Sequence, residues 1–99
     1  MDHQFTDLRA DFIEVLDEVS GLLSMAYEQL GPVPEDHVLA QEGFKNGKEI
    51  VLDYVNHNEA GIAYEHLMYM IDGPSLVISG ACRAALDRIA KSVKRYRAG

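Results

Sequence analysis

The chain has 99 residues, a single cysteine and a net charge of −7, with 47% hydrophobic and 25% charged residues. That is one ordinary globular domain with room for one modest core, and its acidic surplus argues against nucleic-acid binding. No apolar run approaches the roughly 18 residues that span a bilayer, and Met1-Asp2-His3-Gln4 does not open a secretory leader. Cys82 has no internal disulfide partner, so the expected setting is the reducing cytoplasm.

The first predicted helix runs over 5–30. Phe5, Leu8, Phe12, Val15, Leu16, Val19, Leu23, Ala26, Tyr27 and Leu30 recur at helical spacing and form one stripe. Asp7, Asp11, Glu14 and Glu18 form a second, acidic stripe at steps of four, three and four. Thr6 or Asp7 is an early capping candidate. Gly31-Pro32 ends the helix, since proline lacks an N–H and disfavours the helical conformation in the residue before it. Val33-Pro34-Glu35-Asp36 then reads as a restart, opening a short helix over 34–42 that Gly43 stops.

Asn46-Gly47-Lys48-Glu49 opens the next helix, over 47–57, with Asn46 and Glu49 spaced as a capping box. Val51, Leu52, Tyr54 and Val55 point inward, and Glu49, Asp53, Asn56 and His57 fall on the other side. A tight turn at 56–58 leads to a helix over 59–72, with Asn58 as its cap and Gly73-Pro74 as its end. This helix carries apolar residues nearly all the way round, which predicts a place in the middle of the bundle. Its inward stripe is Ala60, Ala63, Tyr64, Leu67 and Ile71, and its back is Ile62, Glu65, His66, Tyr69 and Asp72. The last helix, over 79–96, is opened by Ser79 and buries Cys82, Ala85, Leu86, Ile89, Val93 and Tyr96, with Leu76 and Ile78 tucked in before it. Arg88, Lys91, Lys94, Arg95 and Arg97 gather towards its negative end. The fold class is therefore all-α, a single domain of four main helices.

Charge is divided along the chain. Residues 1–72 hold 15 acids against 3 bases, and residues 73–99 hold 1 acid against 6 bases. An acidic body of that kind steers a basic partner.

Signals for chemistry are sparse. Glu49, Asp53 and His57 share a helix face at steps of four, a spacing compatible with metal ligation but more simply a solvated face. There is no His-Glu-x-x-His, no Cys-x-x-Cys, no Gly-x-Ser-x-Gly elbow and no Gly-rich phosphate loop. Cys82 lies on an apolar stripe and reads as a packed thiol. The expectation is a binding protein with no enzymatic activity, no metal and no cofactor. Two surfaces are candidates for the partner: the acidic stripe Asp7, Asp11, Glu14 and Glu18, and the face of Glu49, Asp53, Asn56 and His57 together with Ile62, Glu65, His66, Tyr69 and Asp72. The second mixes an aromatic, an aliphatic and acids, as an interface centre with a polar rim does. Met68, Tyr69 and Met70 also suit contact with a second copy, which makes a homodimer an alternative.

Tyr54-Val55-Asn56-His57-Asn58-Glu59-Ala60-Gly61-Ile62-Ala63-Tyr64-Glu65-His66-Leu67 resembles the signature of the MafI-type immunity proteins, and Val77-Ile78-Ser79 before the last helix is similar to that family's restart. The resemblance covers about residues 48–93 and departs at Tyr64 and in the basic end. It implies a small bacterial protein that neutralises a cognate secreted toxin by binding the toxin's C-terminal domain. The acidic surplus of the chain points to a basic target there, such as a ribonuclease with a phosphate-binding cleft. A helical adaptor or regulatory module binding another bacterial protein is the alternative function.

Overall fold

The computed structural model describes residues 3–32, 35 and 46–98, and the side chains of residues 8–32, 35 and 46–93. Four helices follow in order: α1 His3–Leu30, α2 Gly47–Asn56, α3 Ala60–Asp72 and α4 Gly80–Ala98. The fold is all-α. The short helix expected over 34–42 and the tucked Phe44 fall outside the described residues, apart from Glu35.

The spine of the bundle is α1. Its 28 residues give a rod of roughly 42 Å, close to the 46 Å long dimension of the molecule. α1 touches each of the other helices, with its broadest contact on α4, while α2 packs chiefly on α3. The bundle is thus two helix pairs laid together along α1. Among the described residues α3 touches α1, α2 and α4, most broadly α2, while Ile62, Glu65, Tyr69 and Asp72 of its back are exposed and His66 is half-buried.

The core is built from the predicted stripes. Leu8, Phe12, Val15, Leu16, Val19 and Leu23 of α1 meet Val51 and Val55 of α2, Ala63, Leu67, Met70 and Ile71 of α3, and Cys82, Ala85, Leu86, Ile89 and Val93 of α4. Ala60, Tyr64, Leu76 and Ile78 pack at its edge, half-buried. Each fully buried Leu, Val or Phe contributes about 1.5–3 kcal/mol of transfer free energy. No polar or charged residue is buried among the described residues. Hydrogen bonding between side chains is therefore confined to the surface, at helix ends and across helix seams.

Met70 is the one core residue absent from the predicted stripe. It is fully buried against the first turn of α2, where a Cβ added to Gly47 would overlap its Sδ and Cε atoms. Glycine at position 47 is thus a matter of room, not only of helix entry.

Helix ends follow four different devices. α1 begins at His3, so Thr6 and Asp7 lie inside the helix and not at its cap. It ends on Gly31, which adopts φ +72° and returns its N–H to the Tyr27 carbonyl at 3.0 Å, the left-handed stop for which glycine is suited. Asn46 does precede α2, but its side chain makes no capping bond, and only its carbonyl closes the first turn, on Ile50 N–H at 3.1 Å. The expected capping box at Asn46 and Glu49 is not formed.

Both ends of α3 differ from expectation in the same way. Asn58 does not cap α3. It sits at φ +60° and closes α2: Glu59 N–H reaches the Tyr54 carbonyl at 2.8 Å and Asn58 N–H reaches Val55 at 3.2 Å, the paired bonds of a Schellman turn. Asparagine is the residue after glycine best able to hold that conformation. At the far end, Leu76 N–H reaches Ile71 at 2.9 Å, Ser75 N–H reaches Asp72 at 3.2 Å, and Ser75 carries φ +56°. That is a second Schellman turn. Gly73 is in the right-handed helical region at φ −54°, so serine and not glycine takes the left-handed position. Two non-glycine residues in the left-handed region therefore bracket α3.

Ser79 caps α4 as the sequence predicts. Its Oγ accepts the Cys82 N–H at 3.1 Å and its carbonyl accepts Arg83 N–H at 3.0 Å.

Candidate functional site

The two predicted surfaces have different fates. Asp11, Glu14 and Glu18 of α1 face α4 and are used inside the fold. Arg88 places Nη2 2.9 Å from Asp11 Oδ1 and Nε 3.1 and 3.2 Å from the two Asp11 oxygens, and its Nη2 lies 3.5 Å from Glu14. A guanidinium fork on one carboxylate fixes orientation as well as charge. Its pKa is raised by the hydrogen bonds to Asp11 first and by that group's charge second.

Glu18 completes the cap of α4. Its Oε2 accepts the Ser79 backbone N–H at 2.7 Å, and its Oε1 accepts the Ser79 hydroxyl at 2.6 Å. In a capping box the glutamate that reaches back to the cap N–H stands three residues on. Here that position is Cys82, and a residue from α1, 61 positions earlier, takes the role. The Ser79 bonds hold the Glu18 carboxyl below its ordinary value. Asp17 of the same helix pairs with Lys48 Nζ at 2.7 Å, and Arg9 Nε donates to Asn56 Oδ1 at 3.2 Å, tying α2 to α1. Of the acidic stripe predicted on the first helix, Asp11, Glu14 and Glu18 thus staple α1 to α4, and the Asp7 side chain lies outside the described residues.

The hairpin of α2 and α3 presents the other face. Glu49, Asp53 and His57 are exposed along the outer side of α2. His57 folds back on its own helix, with Nδ1 2.7 Å from the Asp53 carbonyl oxygen and 3.5 Å from its carboxylate. That hydrogen bond, then the Asp53 charge, raises the imidazole pKa, as expected at a helix C-terminus. On α3, Ile62, Glu65, Tyr69 and Asp72 are exposed and follow at steps of three, four and three, which places them on one stripe. Ile62 is 45% exposed and Tyr69 36%. The Tyr69 ring is tilted 49° to His66 with centroids 5.6 Å apart, so the His66 ring flanks the aromatic. Tyr27 of α1 joins this end of the face: burial first, then the proximity of Tyr69, pushes its hydroxyl pKa up. Tyr27 packs half-buried against the core, as its place on the stripe of the first helix predicts, but its closeness to an exposed tyrosine had no signal in the spacing.

The chemistry of nucleophiles and metals gains nothing from the geometry. The Cys82 thiol is buried, and burial with the adjacent Glu18 carboxylate pushes it up to about 11; it is protonated at neutral pH and unreactive for that reason. Among the described residues no group of three or more His, Cys, Asp and Glu side chains is placed to hold a metal ion. Among the same residues no helix is long and apolar enough to cross a membrane.

No family model matches the chain, and no curated protein or solved structure matches it either.

Proposed function

We propose that this chain is an immunity protein, binding the C-terminal domain of a secreted bacterial toxin with the outer side of the α2–α3 hairpin and covering its active site or substrate surface. The observation that carries the proposal is the exposed stripe Ile62, Glu65, Tyr69 and Asp72. It sets an aliphatic and an aromatic side chain among carboxylates, the make-up of an interface anchor with a charged rim. The stripe lies in a stretch, residues 49–82, with five acids and no lysine or arginine. A basic domain, such as a ribonuclease whose cleft binds phosphates, complements it. The similarity of residues 48–93 to the MafI-type pattern supports the toxin-neutralising class. The same face is available to a second copy of the chain, and the toxin competes for it.

The test is co-expression with the toxin encoded beside this gene, in a bacterium sensitive to that toxin. Growth is expected to be restored by the wild-type chain. Replacing Glu65 and Asp72 by lysine together is expected to slow association and remove protection, with far-UV circular dichroism checking that the variant is folded. A wild-type chain that neither binds nor protects refutes the function, and protection undiminished by the double reversal refutes this face.

A further inference from the structure

We propose that Asn46 is a site of spontaneous deamidation in the folded chain, its side chain closing a succinimide ring with the Gly47 nitrogen at the entrance to α2. The site does not depend on the identity of any partner.

The chemistry needs an asparagine whose side-chain carbonyl carbon can meet the backbone nitrogen of the next residue. That nitrogen must be unshielded by a Cβ and released from hydrogen bonds. The chain has three asparagines, Asn46, Asn56 and Asn58, and the fold treats them differently. Asn46 is exposed, its side chain makes no capping bond, and glycine follows it. Gly47 opens α2, and the first N–H groups of a helix have no partner within it. Among the described residues no backbone carbonyl takes the Gly47 N–H. Packing favours glycine there, since a Cβ would run into the end of Met70. By contrast, the His57 N–H donates to the Asp53 and Tyr54 carbonyls, each at 3.1 Å, and the Glu59 N–H donates to the Tyr54 carbonyl at 2.8 Å. The nitrogens after Asn56 and Asn58 are therefore held. Asp72-Gly73 is a related pair that can close the same ring, but the Gly73 N–H donates to the Tyr69 carbonyl at 3.0 Å.

In the reaction the Gly47 nitrogen, deprotonated by hydroxide, bonds to Asn46 Cγ. The Cγ–Nδ2 bond breaks, and Nδ2 takes up a proton from water and leaves as ammonia. Water then opens the ring at either carbonyl. Opening at the former backbone carbonyl leaves isoaspartate, with the main chain running through Cβ and Cγ; opening at the other leaves aspartate. Asn46 stands at φ −108° and ψ 24°, so ring closure takes a rotation about its Cα–C bond. The bond from Ile50 N–H to the Asn46 carbonyl, at 3.1 Å, is released when the first turn of α2 opens, and helix ends open more readily than helix middles. Either product sets a carboxylate at the start of α2, where the helix dipole favours negative charge. Isoaspartate also lengthens the main chain directly before the glycine that packs on Met70.

The experiment incubates the full chain at mildly alkaline pH, folded in buffer and, in parallel, unfolded in guanidinium chloride. A glutamate-specific protease then separates Asn46 from Asn56 and Asn58, and mass spectrometry with electron-transfer fragmentation distinguishes aspartate from isoaspartate. In the folded chain the gain in mass from amide to acid is expected at position 46 at least about ten-fold faster than at 56 or 58, with Asp72 not isomerised. In the unfolded chain Asn46 still reacts, and Asp72 and the other asparagines join it. Asn46 left intact in the folded chain, over a period in which the unfolded chain converts it, overturns the proposal, because the first turn of α2 then shields the Gly47 nitrogen. Equal rates at 46, 56 and 58 in the folded chain overturn it as well, because the hydrogen bonds on the His57 and Glu59 nitrogens would then decide nothing.

Discussion

Ser75 offers a direct measure of the strain at the base of the candidate site. It is exposed and holds φ +56° to close α3, and no glycine is needed for the bonds it makes, since both are made by backbone N–H groups. An L-residue in the left-handed region carries about 1–2 kcal/mol of steric cost. Ser75→Gly removes that cost. It also widens the unfolded ensemble, which opposes the gain by about 0.4–1 kcal/mol. The hydroxyl has no packing role at this exposed position, so strain relief wins, and the net stabilisation is about 0.5–1 kcal/mol. For a domain of this size that is a rise in melting temperature of roughly 2–6 °C. Thermal melts and urea unfolding, both followed by far-UV circular dichroism, measure it. Ser75→Ala keeps the conformation and the cost, and is expected to stay within about 0.5 kcal/mol of wild type. Asn58→Gly, at φ +60°, is expected to gain less than Ser75→Gly, because asparagine already tolerates the left-handed region. A melting temperature lowered by Ser75→Gly, or equal effects of glycine and alanine at 75, would refute the reading of this turn as strained.

Three further outcomes are expected. Ser79→Ala deletes the cap of α4 and is expected to cost about 1 kcal/mol at neutral pH, read from urea midpoints. Its Glu18 partner has a depressed folded-state pKa; such a group adds stability above its unfolded value near 4.5, and that stability is lost as pH falls through the folded value. The gap between wild type and Ser79→Ala is therefore expected to narrow below about pH 4.5, and a gap constant across that range counts against the Glu18 contact. Gly47→Ala sets a Cβ against the flexible far end of Met70, which must shift, and is expected to destabilise by no more than about 1 kcal/mol, a cost that should vanish in a Met70→Ala background. Cys82, with its thiol pushed up to about 11, is expected to resist alkylation at neutral pH in the folded chain and to react once urea unfolds it.

How much of this was legible in the sequence depended on whether one residue had one physical use. The stripe of α1 from Leu8 to Leu23 was legible because apolar side chains at 3.6-residue spacing have a single sensible destination. Ser79 was legible as a cap for a similar reason. Asn58 was not, since a residue that caps the start of one helix equally well closes the end of another. Only the bond from Glu59 N–H to the Tyr54 carbonyl decides between them. Met70 was missed because α3 is apolar on several sides, so spacing alone did not say how wide the buried stripe is. The acids of α1 were the largest misplacement in space. Their spacing was read correctly, but whether the facing surface was water, a partner or α4 is a tertiary fact. One trace of it was present: Ser79 has Cys82 where a capping box needs glutamate or glutamine. That left the cap N–H to be satisfied from elsewhere.

The division of acids between the two helix pairs bears on what the surface is for. If carboxylates served only to keep the protein apart from its neighbours, cations would be interspersed with them over the whole surface. Instead, Lys48 of α2 and Arg88 of α4 are drawn to Asp17 and to Asp11 and Glu14, so these acids of α1 meet bases from the neighbouring helices. The hairpin from Glu49 onward carries five acids within a run of 34 residues that has no lysine or arginine. A single exposed Ile or Tyr on such a surface would mean nothing, because apolar atoms make up much of any protein exterior. Ile62 and Tyr69 gain weight from alignment: together with Glu65 and Asp72 they form one exposed stripe on α3. The left-handed turns at Asn58 and Ser75 fix where that helix begins and ends, so the stripe is held on a rigid element and not on a loop. Rigid placement of an aromatic between carboxylates lowers the ordering cost of binding, and it distinguishes this face from an acidic helix that merely keeps the chain in solution.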